Sequence, residues 1–143
     1  MRKPGAVIFV LLLALPLPAD ETLTLDQHVQ ALRESIKGRE DLPATEVFKN
    51  VQVMKNASAG RLLSVMQMGF SKSLGVTCEH CHTPGKWEDD GKEAKKITRE
   101  MSAMVGKINR ELLPAIPGLA DRKPIVNCTT CHRGQVKPAL NMD

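Results

Sequence analysis

The chain has 143 residues and a formal net charge of +4; 25% of its residues are charged and 42% are hydrophobic, proportions typical of a globular domain. Aromatic residues make up only 3% and tyrosine is absent. Basic runs interleaved with aromatic side chains are therefore missing, which argues against nucleic-acid binding.

The N-terminal residues have the features of a secretory signal. Two basic residues, Arg2 and Lys3, precede an apolar run over residues 6–15, and prolines and a small residue follow. This pattern predicts a signal peptide over residues 1–19 and an exported, periplasmic domain over residues 20–143. A membrane anchor that is retained rather than cleaved is the alternative, because the two differ mainly in processing.

The first predicted helix covers residues 25–36, and His28 is assigned to its exposed face. The apolar residues on its buried face are Val29, Leu32 and Ile36. Further along, residues 47–54 form a short apolar run. That run is compatible with either a strand or extended packing, and the pattern does not choose between them.

Two longer helices follow. One is predicted over residues 59–70 with Ser58 as its N-cap, and the other runs from residue 92 to about 113 and stops before Pro114. The charged residues from 88 to 99 are interpreted as a solvated start of the second of these helices. We expect a mostly α-helical, all-α domain with little regular sheet.

All four cysteines lie in two pentapeptides of the form Cys-x-x-Cys-His. This spacing is typical of c-type haem attachment, in which both thiols bond to the porphyrin and the histidine binds the iron. A zinc ribbon fits poorly, because 46 residues, positions 82 to 127, separate the two pairs instead of roughly 15 to 20. Local disulfides or a redox pair would leave the two histidines unexplained. The predicted haem residues are Cys78, Cys81 and His82 in the first pentapeptide and Cys128, Cys131 and His132 in the second.

Each haem iron would need a second axial ligand, and methionines lie on the helix before each pentapeptide. For the first haem, Met66 lies on the apolar stripe of its helix and Met68 does not. For the second haem, Met101 and Met104 share one stripe, so periodicity leaves the choice open. His80, inside the first pentapeptide, is expected to be exposed. The organisation predicted is a helix, a loop and a haem segment, repeated twice.

Several stretches resemble the cytochrome c subunit of photosynthetic reaction centres. They are residues 44–53, residues 63–66, residues 98–104 and residues 131–135. The resemblance implies a multihaem cytochrome c in which a helix donates methionine to each haem, and by position it favours Met66 and Met101. The family subunit has four haems in two pairs, whereas this chain is similar to one pair, a half-size dihaem relative. The resemblance does not imply docking to a reaction centre.

Together these features predict a periplasmic dihaem c-type cytochrome with two covalently bound haem c groups. Histidine and methionine on each iron leave no position for a substrate, which favours single-electron transfer over catalysis. The expected partners are redox proteins or a membrane electron-transfer complex, reached through transient contacts. The alternative is a haem enzyme or gas sensor, peroxidase-like, in which one iron keeps an open coordination site.

Overall fold

The computed structural model describes residues 23–119 and 121–141, and the predicted signal peptide over residues 1–19 lies outside them. Within this described part the fold is all-α and contains no β-strand, as the sequence predicted. The α-helices are α1 (Leu25–Ser35), α2 (Ala44–Val47), α3 (Ala59–Ser64), α4 (Lys72–Leu74), α5 (Glu93–Lys107) and α6 (Cys128–His132). None of the helices described is both long and apolar enough to cross a membrane.

Helix α1 begins with a capping box. The Thr24 hydroxyl accepts from the Gln27 N–H, and the Gln27 side chain accepts from the Thr24 N–H, so two orphan donors of the first turn are satisfied. Val29 and Ile36 are buried, as predicted. Ile36, Ala59 and Leu63 form the core cluster that joins α1 to α3.

Residues 47–54, left open between strand and extended packing, contain no strand. Helix α2 ends at Val47, and the backbone that follows is irregular, with Asn50 and Met54 at positive φ. Val47 and Phe48 pack against the core cluster. The segment therefore reaches the core without pairing its backbone in a sheet.

The helix predicted over 59–70 is present and longer. Ser58 caps it by accepting from the Arg61 N–H. After α3, the turns over Val65–Ser71 widen into a π-helix, and regular α4 follows. Such π-helical turns are rare and occur frequently at functional sites. Gly75, in the left-handed conformation with φ of +68°, ends the helix.

Helix α5 and its π-helical extension Ile108–Leu112 match the predicted helix over 92–113. Its apolar stripe is not buried as a whole: Ile97, Met104 and Leu112 are exposed. The only buried residue in α5 is a lysine, Lys95. The start of α5 is therefore not a uniformly solvated charged face, because Lys95 is buried there.

Helix α6 packs against α4, so the second pentapeptide lies beside the chain that leads into the first. The Ser73 and Thr129 hydroxyls are 2.6 Å apart, and the Gly134 N–H donates to the Ser73 carbonyl at 2.8 Å. Gly75 approaches Gly134 so closely that a Cβ at Gly75 would lie 2.0 Å from the Gly134 carbonyl oxygen.

Candidate haem-binding site

A cavity of about 340 Å³ lies between the irregular segment 47–53, the α3 helix and the first pentapeptide. Its volume is within the range of roughly 300 to 1,000 Å³ typical of cofactor sites. Its apolar wall is supplied mainly by Val47, Phe48, Leu62, Leu63 and Phe70. The walls therefore offer a large flat cofactor the apolar surroundings that it requires.

Four residues predicted for the first haem line this cavity. They are Met66, Cys78, Cys81 and His82. Met66 reaches it from the π-helical turn, whereas Met68, two residues later, is 55% exposed and does not line it. The structure thus brings together, in one cavity, the thiols, imidazole and thioether that a c-type haem uses.

The cysteines of the first pentapeptide are half-buried and form no disulfide. Residues Cys78–His80 make one turn of 3-10 helix, which is why both thiols reach the same cavity. Burial raises the pKa of the Cys78 thiol. The Cys81 sulfur lies 3.7 Å from the Thr98 hydroxyl of α5. His80 is exposed, as predicted.

The orientation of His82 is set by a backbone carbonyl. Its Nδ1 lies 2.8 Å from the Trp87 carbonyl oxygen, which can only accept, so Nδ1 carries the proton. That tautomer leaves Nε2 with a free lone pair, the form in which histidine binds a metal. Burial, together with the positive charges of Lys95 and Arg99, lowers the pKa of His82 and favours the neutral imidazole.

A polar network joins the irregular segment to the start of α5. The Arg99 guanidinium lies 2.9 Å from Asp90 Oδ1, and the Asn50 amide donates to the same oxygen at 2.9 Å. The hydrogen bond from Arg99 has the largest effect and the one from Asn50 the next largest. Together they hold the pKa of the Asp90 carboxyl far below its usual range. The network fixes one side of the cavity, which Asn50 and Arg99 also line.

The second pentapeptide is a short helix, α6, rather than a 3-10 turn. Asn127 caps it through a capping box with Thr130. Cys128 is half-buried, which raises the pKa of its thiol, and Cys131 is exposed. The His132 Nδ1 lies 3.0 Å from the Gln135 carbonyl oxygen. His132 therefore repeats the arrangement of His82: Nδ1 carries the proton, and Nε2 has the lone pair with which a histidine can bind a metal.

The methionines predicted for the second haem lie on α5. Met101 is half-buried and Met104 is 45% exposed. Asn109 lies beyond Met101, on the π-helical extension of α5. Its side-chain amide donates to the Val126 carbonyl, and its Oδ1 accepts from the Val126 N–H, each at 2.8 Å. This contact ties the chain just before Cys128 to the helix that carries Met101.

Two side chains near the first site contradict the sequence-based expectations. His28, expected to be exposed, is only 4% exposed: its Nε2 lies 3.0 Å from the Glu79 carboxylate, and its ring packs edge-on against Trp87. His28 lies one turn before Leu32, at the edge of the buried stripe, and so faces inward. Lys95, assigned to a solvated face, is 8% exposed because its ammonium group is held by backbone carbonyls.

Comparison with known proteins identifies the family. A family profile described as photosynthetic reaction centre cytochrome C subunit matches residues 17–141. The photosynthetic reaction center cytochrome c subunit of Thermochromatium tepidum is 34% identical over 98 residues, which are 66% of this chain and 22% of that protein. Its counterpart in Roseobacter denitrificans is 30% identical over 122 residues, 81% of this chain and 32% of that protein.

A third relative, cytochrome c-554 of Chloroflexus aurantiacus, is 32% identical over 83 residues, 58% of this chain and 20% of that protein. The chain thus spans about a fifth to a third of the length of these curated relatives. The family profile, in contrast, covers nearly the whole chain. This chain belongs to the photosynthetic reaction centre cytochrome c subunit family.

Proposed function

We propose that this chain is an exported dihaem c-type cytochrome that carries single electrons between redox partners. The observation that carries the proposal is the convergence of Met66, Cys78, Cys81 and His82 on one cavity. A bound haem supplies an iron that alternates between the ferric and ferrous states. The names of the relatives, cytochrome c subunits and a cytochrome c-554, agree with this role.

At the first site, different residues would attach the haem, bind its iron and orient the histidine. Cys78 and Cys81 would hold the porphyrin covalently, and His82 and Met66 would bind the iron. The Trp87 carbonyl keeps His82 in the tautomer that binds through Nε2. The apolar walls would limit access of water to the haem, and a thioether ligand would favour the ferrous state.

At the second site, Cys128 and Cys131 would hold the other haem, and His132 and Met101 would bind its iron. The proposal is supported by the Nε2 lone pair of His132 and by the Asn109 contact that ties this segment to α5. The exposed apolar side chains of α5, among them Ile97 and Met104, would pack against the porphyrin. The twofold repeat of helix, loop and haem segment is part of this proposal.

The competing function is a haem enzyme or gas sensor with an open iron site. If both irons have two protein ligands, both haems are low-spin and neither binds carbon monoxide or cyanide quickly. A high-spin iron that binds these ligands quickly would support the enzyme instead. Optical spectra before and after addition of each ligand make this distinction.

The proposed partners are redox proteins or a membrane electron-transfer complex in the periplasm. Because the chain spans a fraction of its relatives' length, we assign it no specific partner. Electron carriers meet partners through small, transient contacts near a cofactor edge. The predicted signal peptide over residues 1–19 supports export, and residues 20–143 would form the mature domain.

The proposed haem content is tested by counting porphyrins. Full-length protein, made in a host that matures c-type cytochromes, is expected to show two haems per chain in a pyridine haemochrome assay. Its intact mass should exceed that of the mature polypeptide by two haem masses. A red protein with one haem would overturn the dihaem proposal, and a colourless protein of bare polypeptide mass would overturn the cytochrome assignment.

The choice between Met101 and Met104 predicts different outcomes for two matched variants. Met101→Ala is expected to lower the reduction potential of one haem and turn its iron high-spin, because a ligand is lost. Met104→Ala is expected to keep both irons low-spin and to cost about 1 to 3 kcal/mol of stability, since the side chain would lose its packing against the porphyrin. Redox titration and optical spectra of both variants provide the comparison. A high-spin iron only in the Met104 variant would reverse the assignment.

A further inference from the structure

The carbonyl oxygen of Trp87 accepts two hydrogen bonds. One comes from His82 Nδ1 at 2.8 Å and the other from the Lys95 ammonium group at 2.9 Å. A carbonyl oxygen has two lone pairs, so both donors are accommodated. The lysine and the proposed iron ligand are thus connected through a single oxygen atom.

Burial and several polar contacts hold Lys95 in this position. It is 8% exposed, and its ammonium group also donates to the Asp89 carbonyl at 2.7 Å and lies 3.2 Å from Asp90 Oδ1. That same Asp90 oxygen lies 2.9 Å from Arg99, so one carboxylate is shared by two cations. A buried charge is costly unless it is paired and hydrogen-bonded. Here the ammonium group is paired and hydrogen-bonded at the wall of the cavity, which Lys95 itself lines.

We propose that Lys95 is a positioning residue that raises the reduction potential of the first haem by polarising the Trp87 carbonyl that holds His82. The inference rests on the proposed function, since it requires a haem bound through His82.

Two effects act in the same direction. An ammonium group on the Trp87 carbonyl withdraws electron density from the oxygen. The hydrogen bond that the oxygen accepts from His82 Nδ1–H is therefore weaker, and the imidazole donates less charge to a ferric iron. The positive charge itself also favours the ferrous state, because the ferric state is more positive. Removing the charge while retaining the side-chain volume therefore lowers the potential.

The test measures the potential of the first haem in full-length holoprotein. The redox step of the first haem is the one that Met66→Ala shifts. In Lys95→Met, the equilibrium constant for its reduction is expected to fall about tenfold, which is 59 mV for a one-electron couple. Lys95→Gln, which retains a neutral donor, is expected to lower it as well, and it decides the question should the Met variant fail to mature. Lys95→Arg retains the charge and is expected to remain near the wild-type potential.

The matched control is Lys96→Met, which removes the same charge from an exposed neighbour. NMR of the ferrous protein supplies a second readout: the His82 Nδ1 proton is expected to move downfield in Lys95→Met as its hydrogen bond strengthens. If the potential in both Lys95→Met and Lys95→Gln shifts no more than in the control, the role of Lys95 is overturned and the proposed function is not affected. Absence of haem on Cys78 and Cys81 in the wild-type protein would overturn the proposed function and this inference together.

Discussion

Replacing Met66 with Ala is expected to turn the iron of the first haem high-spin and to lower its reduction potential by on the order of 0.1 V. Axial ligands set haem potentials over a range of about 0.8 V, and a thioether favours the ferrous state. No other methionine in the described residues lines the first cavity. With Met66 as the proposed ligand, its loss would leave the iron without a sulfur ligand.

Met68→Ala is the matched control for this experiment. It removes the same side chain two residues later, from the same π-helical turn, but at a position that is 55% exposed. We expect its spectrum and potentials to match those of the wild type. The measurements are optical spectra in both oxidation states and a potentiometric titration. A low-spin iron with unchanged potential in Met66→Ala would show that a different group completes the coordination.

Short-range patterns in the sequence predicted much of this molecule. Haem attachment requires two thiols and a histidine at fixed spacing, so the two pentapeptides are visible without any tertiary information. Helices were predicted from the period of apolar residues and from caps such as Ser58, and the structure confirms them. The stripe that favoured Met66 over Met68 also agrees with the cavity lining.

Contacts that depend on tertiary structure cannot be predicted from these short-range patterns. The charged residues from 88 to 99 predict a solvated helix start, but the loop before α5 presents two backbone carbonyls to Lys95, which is buried. His28 pairs with Glu79, 51 residues away. Around Met66 the helix widens because its backbone hydrogen bonds span five residues instead of four. The spacing of apolar residues does not predict this change.

The same distinction applies to the two proposed haem sites. The first site is built from segments that meet at one cavity, so its residues were placed together by the fold. For the second site, the structure describes a contact of His132 Nδ1 with the Gln135 carbonyl oxygen and hydrogen bonds between Asn109 and Val126. Its assignment to Met101 is carried by the family resemblance, because Met101 and Met104 lie one turn apart on one stripe.

The contact between α4 and the segment that contains the second pentapeptide predicts the largest loss of stability. Gly75→Ala is expected to lower the free energy of unfolding by about 3 to 5 kcal/mol. A Cβ at this position would lie 2.0 Å from the Gly134 carbonyl oxygen, which is backbone and cannot rotate away. The backbone is also left-handed, with φ of +68°, which costs a residue other than glycine about 1 to 2 kcal/mol.

Gly38→Ala separates these two causes. Gly38 has φ of +78°, but a Cβ there would meet no atom within 4 Å, so only the backbone cost applies. For a domain of this size the melting temperature should fall by roughly 3 to 8 °C in Gly38→Ala and by at least 10 °C in Gly75→Ala. Thermal unfolding of the holoproteins, followed by circular dichroism, measures both.

Equal losses in the two variants would mean that the segment after His132 does not press against the end of α4. A larger loss in Gly75→Ala would support the close approach that the structure shows. Ser73 and Thr129 bridge the same junction at 2.6 Å, so the strain introduced at Gly75 falls where α4 packs against α6. The second pentapeptide is held beside the chain that leads into the first partly through this junction, so the difference in stability between the two variants measures how much the junction contributes.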